Sequence, residues 1–301
     1  MNDAVPSTEA VNPKTRALDS QETHDVVAAL VRENVEASAT VAEAVPALRD
    51  AVELVARRLE NGGRLHYVGA GTSGRLAMVD AAEWHPTFGV SPELVQVHMA
   101  GGPAAFRRSV EGAEDDAVAG QHAVRDAVHP RDAVIGVSAS GGAPFVVAAL
   151  SRARELGAVT IALTSVAGSA LTEACEFSIV LHTGAEPIAG STRMKAGTAQ
   201  KIALSVLSTA VMVRLGKVYD NVMIDVVASN EKLRRRALRL VARLVPADAD
   251  AAAALLRAAG GNVKVAVVMG RHGIDATSAE ALLSQARGRL RSALERGAMP
   301  Q

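Results

Sequence analysis

The chain has 301 residues, 49% of them hydrophobic, with 32 basic and 32 acidic residues and a formal net charge of zero. That length can bury a substantial core, and the balanced charge gives no general reason to expect nucleic acid or an anionic membrane as partner. Aromatic residues make up only 2%, which argues against a base-stacking platform; the single cysteine, Cys175, rules out an intramolecular disulfide and suits a reducing, cytoplasmic compartment.

Residues 1–20 are polar, carry Pro6 and Pro13, and read as an arm without the basic-then-apolar pattern of a secretory leader. From 23 to about 58 the pattern is helical: Leu48, Val52, Val55 and Leu59 recur at helix spacing, and Gly62-Gly63 ends it. Strand-like runs follow at 65–68, 94–99, 133–137, 159–163 and 177–181, separated by helical stretches at 75–82, 104–119 and 144–156. This alternation predicts an α/β fold, a mainly parallel sheet flanked by helices. A long helix is expected over 192–215 and another over 230–244. Beyond Pro246 the chain is Ala-rich, with Asp248 and Thr277 as helix caps, while 262–269 suits either a helix or a strand. No apolar run reaches the roughly 18 residues of a membrane span. The expected division is 1–45, an arm and helix; 46–245, the sheet domain; and 246–301, a small helical domain.

Two hydroxyl-rich glycine turns stand where a strand should hand over to a helix. The first is Gly69-Ala70-Gly71-Thr72-Ser73-Gly74 and the second is Ser138-Ala139-Ser140-Gly141-Gly142. Glycine permits a tight turn and the close approach of an oxyanion, and the following helix offers free N–H groups and a positive dipole end. Two such turns at neighbouring strand ends would cradle one phosphate. The first also fits G-x-G-x-x-G, but the next strand ends in Met99-Ala100-Gly101-Gly102 without the acid that a dinucleotide site wants.

The turns resemble those of the sugar isomerase (SIS) fold, a flavodoxin-like phosphosugar-binding architecture. Further blocks narrow the likeness: Asp80-Ala81-Ala82-Glu83, Glu111-Gly112-Ala113-Glu114-Asp115, the run from Gly190 to Lys201, Asn12-Pro13-Lys14-Thr15 and Asn230-Glu231-Lys232-Leu233. With these the chain, from about Thr8 to Leu244, resembles the N-acetylmuramic acid 6-phosphate etherase family. It departs from the family's usual Ser-Gly-Arg-Thr-Pro in the second turn, reading Ser140-Gly141-Gly142-Ala143-Pro144, with Ser138 where Ala is common. Trp84-His85 also replaces smaller residues.

The resemblance implies cleavage of a lactyl ether to give N-acetylglucosamine 6-phosphate and D-lactate, in amino sugar recycling. It implies no metal, no redox cofactor and no nucleic acid, and a cytoplasmic homodimer contacting through the arm and the 192–215 helix. A ring-opened sugar aldehyde acidifies its C2 proton; a base removes it, lactate leaves C3, and water adds back. Two carboxylates in different protonation states suffice. Glu83 is the expected acid, desolvated by Ala81, Ala82 and Trp84, and Glu114 the expected base, although the roles could be exchanged. Glu111 reads as a supporting charge. Thr72, Ser73, Ser138 and Ser140, with the backbone N–H of Gly74 and Gly141, are expected to hold the phosphate. Ser191 and Thr192 should cap the long helix and reach the sugar, with Lys195 and Lys232 as lesser candidates and His85 placed to tune Glu83. A non-catalytic phosphosugar sensor on the same fold is the alternative, but it would have no need of the carboxylate pair.

Overall fold

The computed structural model describes residues 6–225 and 231–296. Asn230 and the first five residues of the expected arm lie outside the described residues. The chain divides into two compact units: residues up to Ala82 with Glu93–Thr209, and Glu83–Pro92 with the residues from Ala210 onward.

In the first unit the arm forms short 3-10 turns at Ser7–Glu9, Pro13–Thr15 and Leu18–Ser20. It docks on its own chain: Thr15 Oγ1 donates to Pro187 O at 2.8 Å, and Asn12 Nδ2 to Ala185 O at 3.3 Å. The helical stretch expected over 23–58 is two helices, α1 (Thr23–Glu43) and α2 (Val45–Glu60). The break at Ala44 follows from Pro46, which cannot supply an N–H or fit beneath a preceding turn, but is tolerated in the first turn of a new helix. Leu48, Val52, Val55 and Leu59 are all buried, as their spacing predicted.

The five expected runs are β1 (Leu65–Gly69), β2 (Val95–Met99), β3 (Ala133–Val137), β4 (Val159–Thr164) and β5 (Phe177–Val180). They form one parallel sheet in the order β2-β1-β3-β4-β5. Every residue of β1, β3 and β4 is buried, which is why these strands read as near-continuous apolar runs rather than alternations. The intervening helices are α3 (Gly71–Phe88), α4 (Ala104–Arg107), α5 (Ala117–Arg125), α6 (Pro144–Glu155) and α7 (Ala170–Ala174), followed by α8 (Lys195–Arg214). One face of the sheet buries Val68, Val134 and Ala162 against Val124, Phe145, Val146 and Leu150 of α5 and α6.

One expectation needs correction here. The helix foreseen over 104–119 is instead α4, a 3-10 turn at Ala113–Asp115 and α5: Arg108 turns extended, with a φ of −145°, and Gly112 is left-handed, with a φ of 71°, so no helix runs through. By length and mean hydropathy, 1.3, α8 would also pass for a membrane span, although polar residues interrupt it. Its Ala196, Ala199, Ala203 and Leu207 are buried within the protein, so its apolarity serves the core.

The sequence also gave no sign of a polar contact across the sheet joining His66 of β1, His98 of β2 and Asp132 just before β3. His66 Nδ1 lies 3.0 Å from His98 Nε2, and His66 Nε2 lies 3.2 Å from Asp132 Oδ2. Burial, with His66 beside it, lowers His98 to about 4.

The second unit holds β6 (Val218–Tyr219) and β7 (Val222–Met223), an antiparallel pair too short for an alternation signal. It continues with α9 (Glu231–Leu244), α10 (Ala249–Ala258), α11 (Val263–His272), α12 (Ala276–Gln285) and α13 (Leu290–Arg296). Its own core includes Ile224, Leu240, Val241, Val263, Val267, Leu283 and Leu290. The ambiguous 262–269 segment is helix α11, buried from Val263 to Met269; a helix buried on all sides loses its periodicity. Asp248 caps α10 as expected, whereas α12 is capped by Asp275, which accepts from Ser278 N at 2.7 Å, and not by Thr277.

Candidate active site

The reversal of strand order between β1 and β3 leaves a crevice at their carboxyl ends, the usual ligand position in open α/β sheets. Both glycine turns open there. In the first, a Cβ on Gly69 would stand 2.6 Å from the Cα of Gly74, so the strand end and the first helical turn touch backbone to backbone. In the second, Gly141 has a φ of 70°, and a Cβ there would fall 2.1 Å from Ser169 Oγ and 2.5 Å from Ser169 Cβ. Gly141→Ala therefore combines backbone strain with a clash that no side-chain rotation relieves. An expected loss of about 2–3 kcal/mol follows, read as a lower urea midpoint; an unchanged midpoint would contradict it.

The turns bound a cleft of about 400 Å³. Thr72, Ser73, Ser138, Ser140, Thr192 and Glu114 line it; Gly74, Gly141, Ser191 and Glu83 do not. The two expected backbone donors are already used: Gly74 N donates to Ala70 O at 3.0 Å, and Gly141 N to Ser138 Oγ at 3.2 Å. The hydroxyls carry the polar character instead. Ser138 Oγ and Ser140 Oγ accept from the N–H of Gly141 and Gly142, which leaves each hydroxyl proton to donate. Ser73 Oγ donates to the buried Gln200 Oε1 at 2.9 Å. Gly142 is exposed, and a Cβ there would meet only Ser140 Oγ at 3.6 Å, so the turn does not require glycine at this point.

The start of α8 differs from expectation. Ser191 and Thr192 do not cap it. The carboxylate of Glu186 accepts from Lys195 N at 2.8 Å and Ala196 N at 2.9 Å, fully buried. Burial pushes the Glu186 carboxyl up, against the opposing pull of these N–H groups. Lys195 turns away from the substrate role foreseen for it and pairs with buried Glu33 of α1 at 2.7 Å. Asn12 Nδ2 donates to the same Glu33 oxygen at 2.7 Å. Burial acts to raise Glu33, but the hydrogen bonds from Lys195 and Asn12 outweigh it and hold the carboxyl below its usual range. Glu186 and Glu33 were missed because an isolated acid has no periodic or motif signature; Gln200 lay within the Gly190–Lys201 block without a role assigned to it.

Glu114 lies in the 3-10 turn between left-handed Gly112 and Asp116, whose side chain caps α5 through Ala119 N. It is exposed and lines the cleft. Glu83, in the fourth turn of α3, is also exposed, as is Ala82, while Trp84 turns inward, 2% exposed. His85 Nδ1 engages Val90 O at 2.6 Å instead of Glu83. Lys232 is an exposed residue of α9.

Comparison with known proteins follows this geometry. Residues 113–210 match the SIS domain, and residues 47–154 match the glucokinase regulatory protein N-terminal SIS domain. A phosphoheptose isomerase from Francisella tularensis superposes on 64% of this chain and all of its own, with a TM-score of 0.53 at 20% identity, which supports the fold alone. An N-acetylmuramic acid 6-phosphate etherase of Gloeobacter violaceus is 48% identical over 290 residues, covering 96% of this chain and 95% of that protein. Another from Deinococcus radiodurans is 47% identical over 291 residues, with 96% and 95% covered. The chain belongs to the N-acetylmuramic acid 6-phosphate etherase family. It is accordingly a carbon–oxygen lyase on a SIS fold, and the sensor alternative is not favoured. Thr72, Ser73, Ser138 and Ser140 line one cleft with Glu114.

Proposed function

We propose that the cleft binds ring-opened N-acetylmuramic acid 6-phosphate and splits its D-lactyl ether by elimination and water re-addition. The products are N-acetylglucosamine 6-phosphate and D-lactate, and the setting is cytoplasmic recycling of cell-wall amino sugars. The observation that carries this reading is a carboxylate on the turn before α5, Glu114, sharing a cleft with the hydroxyls of both glycine turns; Asp115 and Glu9 line the same cleft. Thr72, Ser138 and Ser140 hold the 6-phosphate, with Ser73 set in the cleft wall by its bond to Gln200, and Thr192 reaches the sugar; Gly74 and Gly141 shape the turns that present the hydroxyls. Ser191 belongs to the segment that carries Thr192 to the cleft.

Glu114 takes the C2 proton as the aldehyde draws electrons from that carbon. The C3–O bond breaks, lactate departs with a proton from the acid, and water adds to C3 of the unsaturated aldehyde. Glu83 is the proposed acid. The stripe of Val27, Val31 and Val35 along α1, each more than half exposed, supports a homodimer, which sedimentation velocity reads directly. Incubation with the substrate in H₂¹⁸O tests the chemistry. Unlabelled lactate, with ¹⁸O at C3 of the sugar product after exchange at C1 is chased out, is expected. Label in the lactate hydroxyl would mean cleavage on the other side of the ether oxygen and sink the mechanism.

A further inference from the structure

A second chamber of about 220 Å³ opens beside the cleft and shares Ala70, Gly71 and Glu114 with it. Its walls are mixed: Ala100, Ala105 and Val110 form a small apolar side, and Arg75, Ser109, Glu111 and Glu114 the polar one. Among the described residues that line it the one cation is Arg75, which follows the first glycine turn and is half-buried. The Arg75 Nε donates to Ala105 O at 3.1 Å and Phe106 O at 3.2 Å, fixing the plane of the guanidinium. Its two terminal nitrogens make no hydrogen bond within the described residues. A pinned guanidinium with an open edge is the geometry that takes a carboxylate through two parallel hydrogen bonds.

We infer that this chamber is the site of the departing lactyl group, with Arg75 binding its carboxylate and Ala100, Ala105 and Val110 packing its methyl. The inference rests on the etherase reading. The substrate is charged at both ends, a phosphate at C6 and a carboxylate on the C3 ether. The hydroxyl turns serve the first charge and leave the second without a partner. Glu114 borders both chambers, which puts it beside the C2–C3 bond of a sugar bridging them. Glu111 also lines the chamber, but it is exposed and solvated, so the fixed charge there is Arg75. A cation at the carboxylate selects lactyl ethers over neutral 3-O-alkyl sugars and steadies the lactate as it leaves.

The test compares kcat/KM for the natural ether and for its lactamide, which keeps size and C2–C3 chemistry but lacks the charge. The wild-type protein should prefer the acid by about 10²-fold, the worth of a charge-assisted pair. Arg75→Met should bring the ratio near one, and Arg75→Lys, which keeps the charge but not the fork, should fall between. A ratio taken within one variant cancels any unfolded fraction, so lost packing around Ala105 cannot imitate the result. An Arg75→Met protein that keeps the wild-type ratio would overturn the inference. Should the wild-type protein cleave neither ether, the etherase reading itself fails and takes the inference with it.

Discussion

Glu114→Gln should keep the fold and still bind the phosphosugar, while releasing lactate about 10³-fold more slowly. The carboxylate has no partner among the described residues, and its turn is set by Gly112 and by the Asp116 cap, so the isosteric amide disturbs no contact. What it removes is the ability to accept the C2 proton, a contribution of general base catalysis on the order of 10²–10⁴-fold. Single-turnover lactate release, together with direct titration of the phosphosugar, separates chemistry from binding. Loss of binding in parallel with rate would assign Glu114 to substrate positioning, and activity within tenfold of wild type would remove it as the base.

The largest expected change in stability comes from Lys195→Met. The Lys195–Glu33 pair is buried, with side chains 8% and 4% exposed, and Glu33 is also bonded to Asn12. Removing the ammonium leaves a carboxylate in the interior with one neutral partner. The uncompensated charge should cost about 3–5 kcal/mol, more than the net worth of the pair itself. Adding Glu33→Gln to the same protein should recover much of the loss, since the charge that needed compensation is then gone. Urea unfolding of the single and double variants decides this. A double variant no more stable than Lys195→Met would show that packing, not charge, carries the contact.

These contacts show how a strong sequence match can be right about family and silent about cause. The blocks Asn12–Thr15 and Gly190–Lys201 marked the family, and the structure joins them through Glu33, which belongs to neither. A motif records which residues recur; it does not say whether Lys195 faces a substrate or a buried acid. Glu186 is a similar case. Ser191 and Thr192 have the chemistry of a helix cap and precede α8, yet a carboxylate from a loop residue takes the N–H groups. Backbone donors were over-assigned as well, since Gly74 N and Gly141 N close their own turns.

The sequence by itself determined the parallel sheet, its five strands, both phosphate-type turns and the family. These rest on local signals: continuous apolar runs where both faces are covered, and glycine where backbone must meet backbone, as at Gly69 and Gly74. Only the tertiary structure decided which groups share a space. It brought Glu114 to the cleft of the two turns, showed Glu83 to be exposed, turned Lys195 inward and set Arg75 in a chamber of its own. Such placements depend on contacts across long chain separations, formed because buried charges require partners and buried backbone groups require hydrogen bonds. No periodicity along the chain encodes which distant residue will meet that requirement.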